Sequence, residues 1–192
     1  MKIALTLATL LYPLVVFYGL AEFSVRIVSL LLLLLFLVRL FVLKINGDSF
    51  NKADEVLTPV MQKSISLLVL VFLLFSFVAN IEIGLLFYPV IINSTLAFIF
   101  SYSLVNPPPV IERLARLTQA DLPLHAVVYT RKVTKVWLAF FIMNGLIAIY
   151  TALFTNLQTW TLYNGFIAYI LMALLFAGEY LVRLRVQKRN DS

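Results

Sequence analysis

The chain has 192 residues, 62% of them hydrophobic and 12% charged, with a mean hydropathy of +1.00. Soluble domains carry about 25% charged residues, so this composition excludes a water-soluble globular protein, and the apolar runs leave no length for a separate soluble domain. Cysteine is absent, which excludes disulfides, a thiolate nucleophile and any Cys-based metal site.

A bilayer core about 30 Å thick takes roughly 20 apolar residues as a helix. Six runs meet that requirement, so the expected class is all-α, a bundle of six transmembrane helices in one domain. The first run, Ile3–Leu20, follows Lys2 and precedes "GLA" before Glu22, a pattern shared with signal peptides. Its length is that of a span and favours retention; cleavage would leave five spans without reversing the others. The second, Phe23–Val42, contains "SLLLLLLFLV", and Glu22 stands at i,i+4 spacing from Arg26 across the turn. A polar segment, Lys44–Lys63, follows with Asp48, Asp54 and Glu55.

The third and fourth runs, Ser64–Ile81 and Ile83–Val105, are joined by "NIEIG". The fifth and sixth, Val133–Phe154 and Trp160–Val182, are joined by "TNLQTW". Short turns thus alternate with two long polar segments, Lys44–Lys63 and Asn106–Lys132, which predicts three helical hairpins strung on two loops. Of the 15 Lys and Arg residues, all but Arg26 fall on the side of the termini and the two long segments. Positive charge stays in the cytoplasm, so both termini and both loops are expected inside. The basic excess therefore sets orientation, and no nucleic-acid partner is expected.

Between spans four and five stands Asn106–Leu117, "NPPPVIERLARL". Three prolines stop a helix arriving from Val105, and lipid does not tolerate such backbone, so the segment belongs at the surface. Asn106 is placed to cap a new helix over about 109–118. Val110, Ile111, Leu114 and Leu117 recur there at helical spacing, with Glu112, Arg113, Arg116 and Gln119 opposite. Glu112 and Arg116 are spaced to pair at i,i+4. This predicts a short amphipathic helix on the inner membrane surface. Arg113 and Arg116, with Arg131 and Lys132, either obey the positive-inside rule alone or form a docking face for an acidic partner.

"NPPPVIERLARL", followed by "YTRKVTKVWLAFFIMNG" at Tyr129–Gly145, resembles a family of small bacterial inner-membrane proteins encoded among genes for aryl polyene and xanthomonadin-type pigment synthesis. The resemblance implies a fatty-acid-like pathway with soluble ketosynthases, dehydratases and acidic acyl carrier proteins, whose product reaches the outer membrane. It brings no catalytic motif and no active-site residue.

The chemistry-bearing residues are sparse. The only histidine, His125, lies in "DLPLHAVVY" four residues after Asp121; the acyltransferase order of His, four residues, then Asp is reversed, with Pro123 between. One His and no Cys do not make a zinc site, the six glycines form no phosphate loop, and no cofactor is implied. Glu179 and Arg183 fit an i,i+4 pair near a span end. No carboxylate falls at mid-span, which argues against proton or ion coupling.

Within the spans, the polar groups are Asn93, Ser94, Thr95, Asn144 and Asn164. Asn144–Gly145 and Asn164–Gly165 begin the similar strings "NGLIAIY" and "NGFIAYI". They read as helix-packing contacts or as the lining of a polyene or acyl-chain groove. Tyr12–Pro13 and Tyr88–Pro89 recur in spans one and four, each freeing a carbonyl four residues back, at Thr9 and Leu85. Trp137, Trp160, Tyr129 and Tyr163 are expected as interfacial anchors. The expected function is a non-catalytic inner-membrane scaffold for the lipid pathway. The alternative is a translocator passing a polyene lipid through a cleft bordered by Pro13 and Pro89; an integral acyl- or glycosyl-transferase is the least supported.

Overall fold

The computed structural model describes residues 12–45, 59–119 and 121–190. Lys2, Thr9, the start of the first run and most of the first polar segment, with Asp48, Lys52, Asp54 and Glu55, lie outside the described residues. Every described element is helical, and no strand occurs among the described residues. In chain order they are α1 (Tyr12–Glu22), α2 (Val25–Ile45), α3 (Pro59–Ala79), α4 (Ile83–Leu86), α5 (Tyr88–Val105) and α6 (Val110–Thr118). Then come α7 (Leu124–Phe154), α8 (Leu157–Leu162), a π-helical turn (Tyr163–Ile167) and α9 (Ala168–Asn190).

Among the described residues, three stretches are long and apolar enough to cross a bilayer: Ile83–Val105, Leu124–Phe154 and Leu157–Arg183, of 23, 31 and 27 residues. Shorter apolar helices cover Val25–Leu34 and Val69–Ala79. This is a membrane-embedded, all-helical protein.

Local chemistry sets the ends of these helices. At the end of α3, Asn80 adopts φ +55°, a left-handed conformation that Asn tolerates and that closes helices. Asn156 opens α8 by accepting from the Thr159 N–H at 2.8 Å. Between α1 and α2 the helix breaks at Phe23–Ser24, so Glu22 and Arg26 lie on different helices, and among the described residues no ion pair joins them. The triple proline ends α5 as expected, with a cis Pro107–Pro108 bond. Asn106, however, does not cap α6. Its Nδ2 donates back to the Tyr102 carbonyl at 3.2 Å, because three prolines separate it from the first amides of the next helix. The Val110 N–H finds the Ser103 hydroxyl instead, at 3.1 Å.

Two further boundaries differ from the sequence reading. The fifth helix starts at Leu124, not Val133, so His125, Tyr129, Arg131 and Lys132 are helical rather than looped. Pro123 precedes its first turn, where a missing N–H costs nothing. The fourth apolar run is two helices, α4 and α5, separated at Phe87, with Pro89 in the first turn of α5.

That break frees carbonyls in an apolar setting, and side chains from distant helices take them up. The Tyr12 hydroxyl donates to the Leu85 carbonyl at 3.1 Å, and the Trp160 indole N–H donates to the Leu86 carbonyl at 3.1 Å. Tyr12 also stacks on Tyr88, with ring centroids 4.0 Å apart. Trp160 is 0% exposed, so it is a clamp inside the bundle and not an interfacial anchor. Trp137 is likewise buried, packed on Phe141 and Phe176. Tyr129 and Tyr163 turn inward to partners on other helices.

The core divides into two clusters. Tyr12, Val16, Leu73, Leu85 and Trp160 anchor the one around the α4–α5 break, and Phe100, Val110, Val133, Trp137 and Phe141 the one near the triple proline. Glycines allow the closest approaches. A Cβ on Gly145 would lie 3.3 Å from the Asn93 Cβ, and one on Gly165 would lie 3.3 Å from the Pro13 Cβ.

Tyr12→Phe removes the hydroxyl donor from the buried Leu85 carbonyl, and is expected to cost about 1–3 kcal/mol in unfolding from detergent micelles. Adding Pro89→Ala returns an N–H to the break, so the double variant should regain part of that loss. A Tyr12→Phe protein as stable as wild type removes the clamp from the account.

Candidate functional site

A proline segment offers carbonyl oxygens and no N–H groups, so the end of α5 presents acceptors that need donors. Arginines supply them. From α6, Arg113 Nε donates to the Pro108 carbonyl at 2.7 Å, and its Nη2 reaches the Asn106 carbonyl at 3.4 Å. From α7, Arg131 Nη2 reaches the Leu104 carbonyl at 3.4 Å. Arg116 donates twice to Glu112 Oε1, from Nε at 2.9 Å and Nη2 at 2.7 Å. Glu112 is only 5% exposed, and a carboxylate so buried needs this pairing.

The four basic residues read as one docking face are therefore divided. Arg113 is half-buried against the prolines and Arg116 is paired with Glu112, while Arg131 and Lys132 are exposed. Between the prolines, Glu112 and Arg116 of α6, and Val127 and Arg131 of α7 lies an open cleft of about 440 Å³.

A second feature was missed by the sequence reading. Leu124, Val128, Arg131, Lys132 and Lys135 share one side of α7, and all are exposed; Leu124 is 85% exposed and Val128 57%. Arg131 is level with Leu104 at the end of α5. Leu124 lies seven residues earlier, about 10 Å along the helix, so the first two turns of α7 stand clear of α5. The spacing i, i+4, i+7, i+11 directly after Pro123 was the available signal, hidden because Asn106–Lys132 was read as loop.

The amides within the spans are hydrogen-bonded between helices. Asn144 Nδ2 donates to Asn93 Oδ1 at 3.0 Å, Asn93 Nδ2 to the Pro89 carbonyl at 2.8 Å, and the Tyr163 hydroxyl to Asn144 Oδ1 at 2.8 Å. Asn164 Nδ2 donates to Thr151 Oγ1 at 3.1 Å and to the Trp160 carbonyl at 2.9 Å. Pro13 is buried against Gly165, and Tyr12 and Tyr88, the residues before Pro13 and Pro89, stack on each other.

His125 is exposed on the first turn of α7, and Asp121 is exposed before it. Among the described residues, no group of three His, Cys, Asp or Glu side chains converges. Glu179 is engaged by Tyr129, whose hydroxyl lies 3.3 Å from Glu179 Oε1; no ion pair joins it to Arg183 among the described residues. No family model matches the chain, and neither a curated protein nor a solved structure matches it.

The Asn93–Asn144 bond is expected to couple α5 to α7. A double-mutant cycle of Asn93→Ala and Asn144→Ala, read by unfolding in detergent, should give an interaction energy of about 0.6–2 kcal/mol. Strict additivity would deny the two amides a joint role.

Proposed function

We propose that this protein is a non-catalytic docking platform in the bacterial inner membrane, holding acidic soluble partners of a lipid-building pathway at the bilayer. Its chain crosses six times as three hairpins, over about 3–20, 23–42, 64–81, 83–105, 133–154 and 160–182, with both termini cytoplasmic. The observation that carries the docking role is the exposed face of α7, where Leu124 and Val128 stand clear of α5 beside Arg131, Lys132 and Lys135. Burying one such aliphatic side chain contributes about 1.5–3 kcal/mol. An exposed ion pair contributes about 1 kcal/mol at most. The apolar pair therefore supplies affinity, and the three cations select an acidic partner and speed its approach.

The occupant that fits is an acidic acyl carrier protein, or a ketosynthase or dehydratase bearing one. The resemblance to aryl polyene cluster proteins supplies that pathway context. The neutral amides support a non-translocating role, since Asn93 and Asn144 are engaged with each other and with neighbouring helices.

Capture of acyl carrier protein by the full chain in lipid nanodiscs tests the reading. Lys132→Glu with Lys135→Glu should leave membrane levels unchanged and weaken capture about tenfold at low salt, with the difference shrinking as salt rises. Leu124→Asp should weaken it at every salt concentration. Capture equal to wild type in both variants rejects the α7 face. Reporter fusions after Lys52, Gln119 and Ser192 should report cytoplasm, and fusions near Glu82 and Asn156 the periplasm; a periplasmic signal at Gln119 rejects the six-span topology.

A further inference from the structure

The cleft between the triple proline and α7 has a chemistry of its own and shares only Arg131 with the docking face. We propose that it binds the phosphate of an anionic phospholipid, seating one lipid against the end of α5. The first argument is donor count. A guanidinium carries five N–H groups in a fixed fork, and Arg131 uses one of them, at 3.4 Å, on the Leu104 carbonyl. The exposed fork that remains suits two oxygens of a phosphate.

The second argument is charge. The lining holds two guanidiniums, Arg116 and Arg131, and one carboxylate, Glu112. Its net charge of +1 matches the single negative charge of a phosphodiester. The Pro108 carbonyl, which would repel an anion, is engaged by Arg113 at 2.7 Å. The prolines and Val127 offer apolar walls without donors, suited to a glycerol backbone.

The third argument is position. Phe98, Tyr102 and Val105 lie at i, i+4 and i+7 on one side of α5, all exposed. They make an apolar column that ends two residues before Pro107. On α6, Leu114 and Leu117 are also exposed, as a helix embedded in the headgroup layer requires. A lipid with its chains along the α5 column has its phosphate at the height of the cleft, where α5 leaves the bilayer.

Native mass spectrometry of the full chain released from nanodiscs of phosphatidylcholine with phosphatidylglycerol reads this directly. Wild type should retain one phosphatidylglycerol, and Arg131→Gln should lower its apparent affinity about tenfold. Lys132→Gln removes the same charge one residue away, outside the cleft lining, and should leave retention unchanged. Val127→Trp fills the cleft without altering charge and should abolish retention. Unfolding temperatures in pure phosphatidylcholine discs, equal to wild type, show that the variants are folded. Equal losses in Arg131→Gln and Lys132→Gln would make the attraction diffuse and overturn the site. So would full retention in Val127→Trp. Displacement of the lipid by millimolar inorganic phosphate would assign the cleft to the free anion instead. Because Lys132 and Lys135 are the residues varied for partner capture, failure of either reading leaves the other measurable.

Discussion

The carbonyl oxygens of Leu85 and Leu86 tie together parts of this bundle that are far apart in sequence. Lipid offers no hydrogen bonds, so a helix broken within an apolar run must find donors from elsewhere in the protein. Pro89 removes the N–H that would have served Leu85. Tyr12 and Trp160 supply replacements from 73 and 74 residues away in sequence. Those two bonds fix α1 and α8 against the α4–α5 break, and the larger part of the first core cluster forms around them. Apolar packing alone would tolerate helix sliding here, since lipid and Leu side chains are equally good neighbours. Directional bonds to fixed carbonyls do not.

From that break the polar contacts continue along α5. The Pro89 carbonyl accepts from Asn93, Asn93 accepts from Asn144 on α7, and Asn144 accepts from Tyr163 in the π-helical turn. Each bond is individually modest, about 0.6 kcal/mol on average in membrane settings. Their joint effect is register: α5, α7 and the π-helical turn are tied at one height, and Gly145 lets the backbone of α7 come close enough to α5 for the amides to meet. The height of the α7 N-terminus follows from this register. So does the exposure of Leu124 and Val128.

Composition and periodicity made the helical class and the triple-proline interruption legible, because both are consequences of local chemistry. The amphipathic helix after the prolines was legible for the same reason. What sequence could not assign was the partner of each polar group. Arg113 looked like a surface cation, yet it is half-buried on the Pro108 carbonyl. Trp160 looked like a membrane-interface residue, and its N–H is needed by a carbonyl 74 residues away. Tertiary partners at that separation leave no local periodicity. The start of α7 is a different failure, since Leu124, Val128, Arg131 and Lys135 do carry helical spacing; their mixed polarity masked it.

The triple proline explains the basic helix that follows it. Ending α5 with three residues that lack donors leaves the Leu104, Asn106 and Pro108 carbonyls without helical partners at the bilayer edge. Arginine meets this need better than lysine, because a planar fork reaches two acceptors at once, as Arg113 does. The same residues then do two jobs. Their charge is of the sign that the positive-inside rule keeps in the cytoplasm, and their N–H groups close the backbone. Arg131 is the member of the set with most of its fork still open, and it stands beside the end of α5. The proposed phosphate site rests on that guanidinium standing against rigid proline walls.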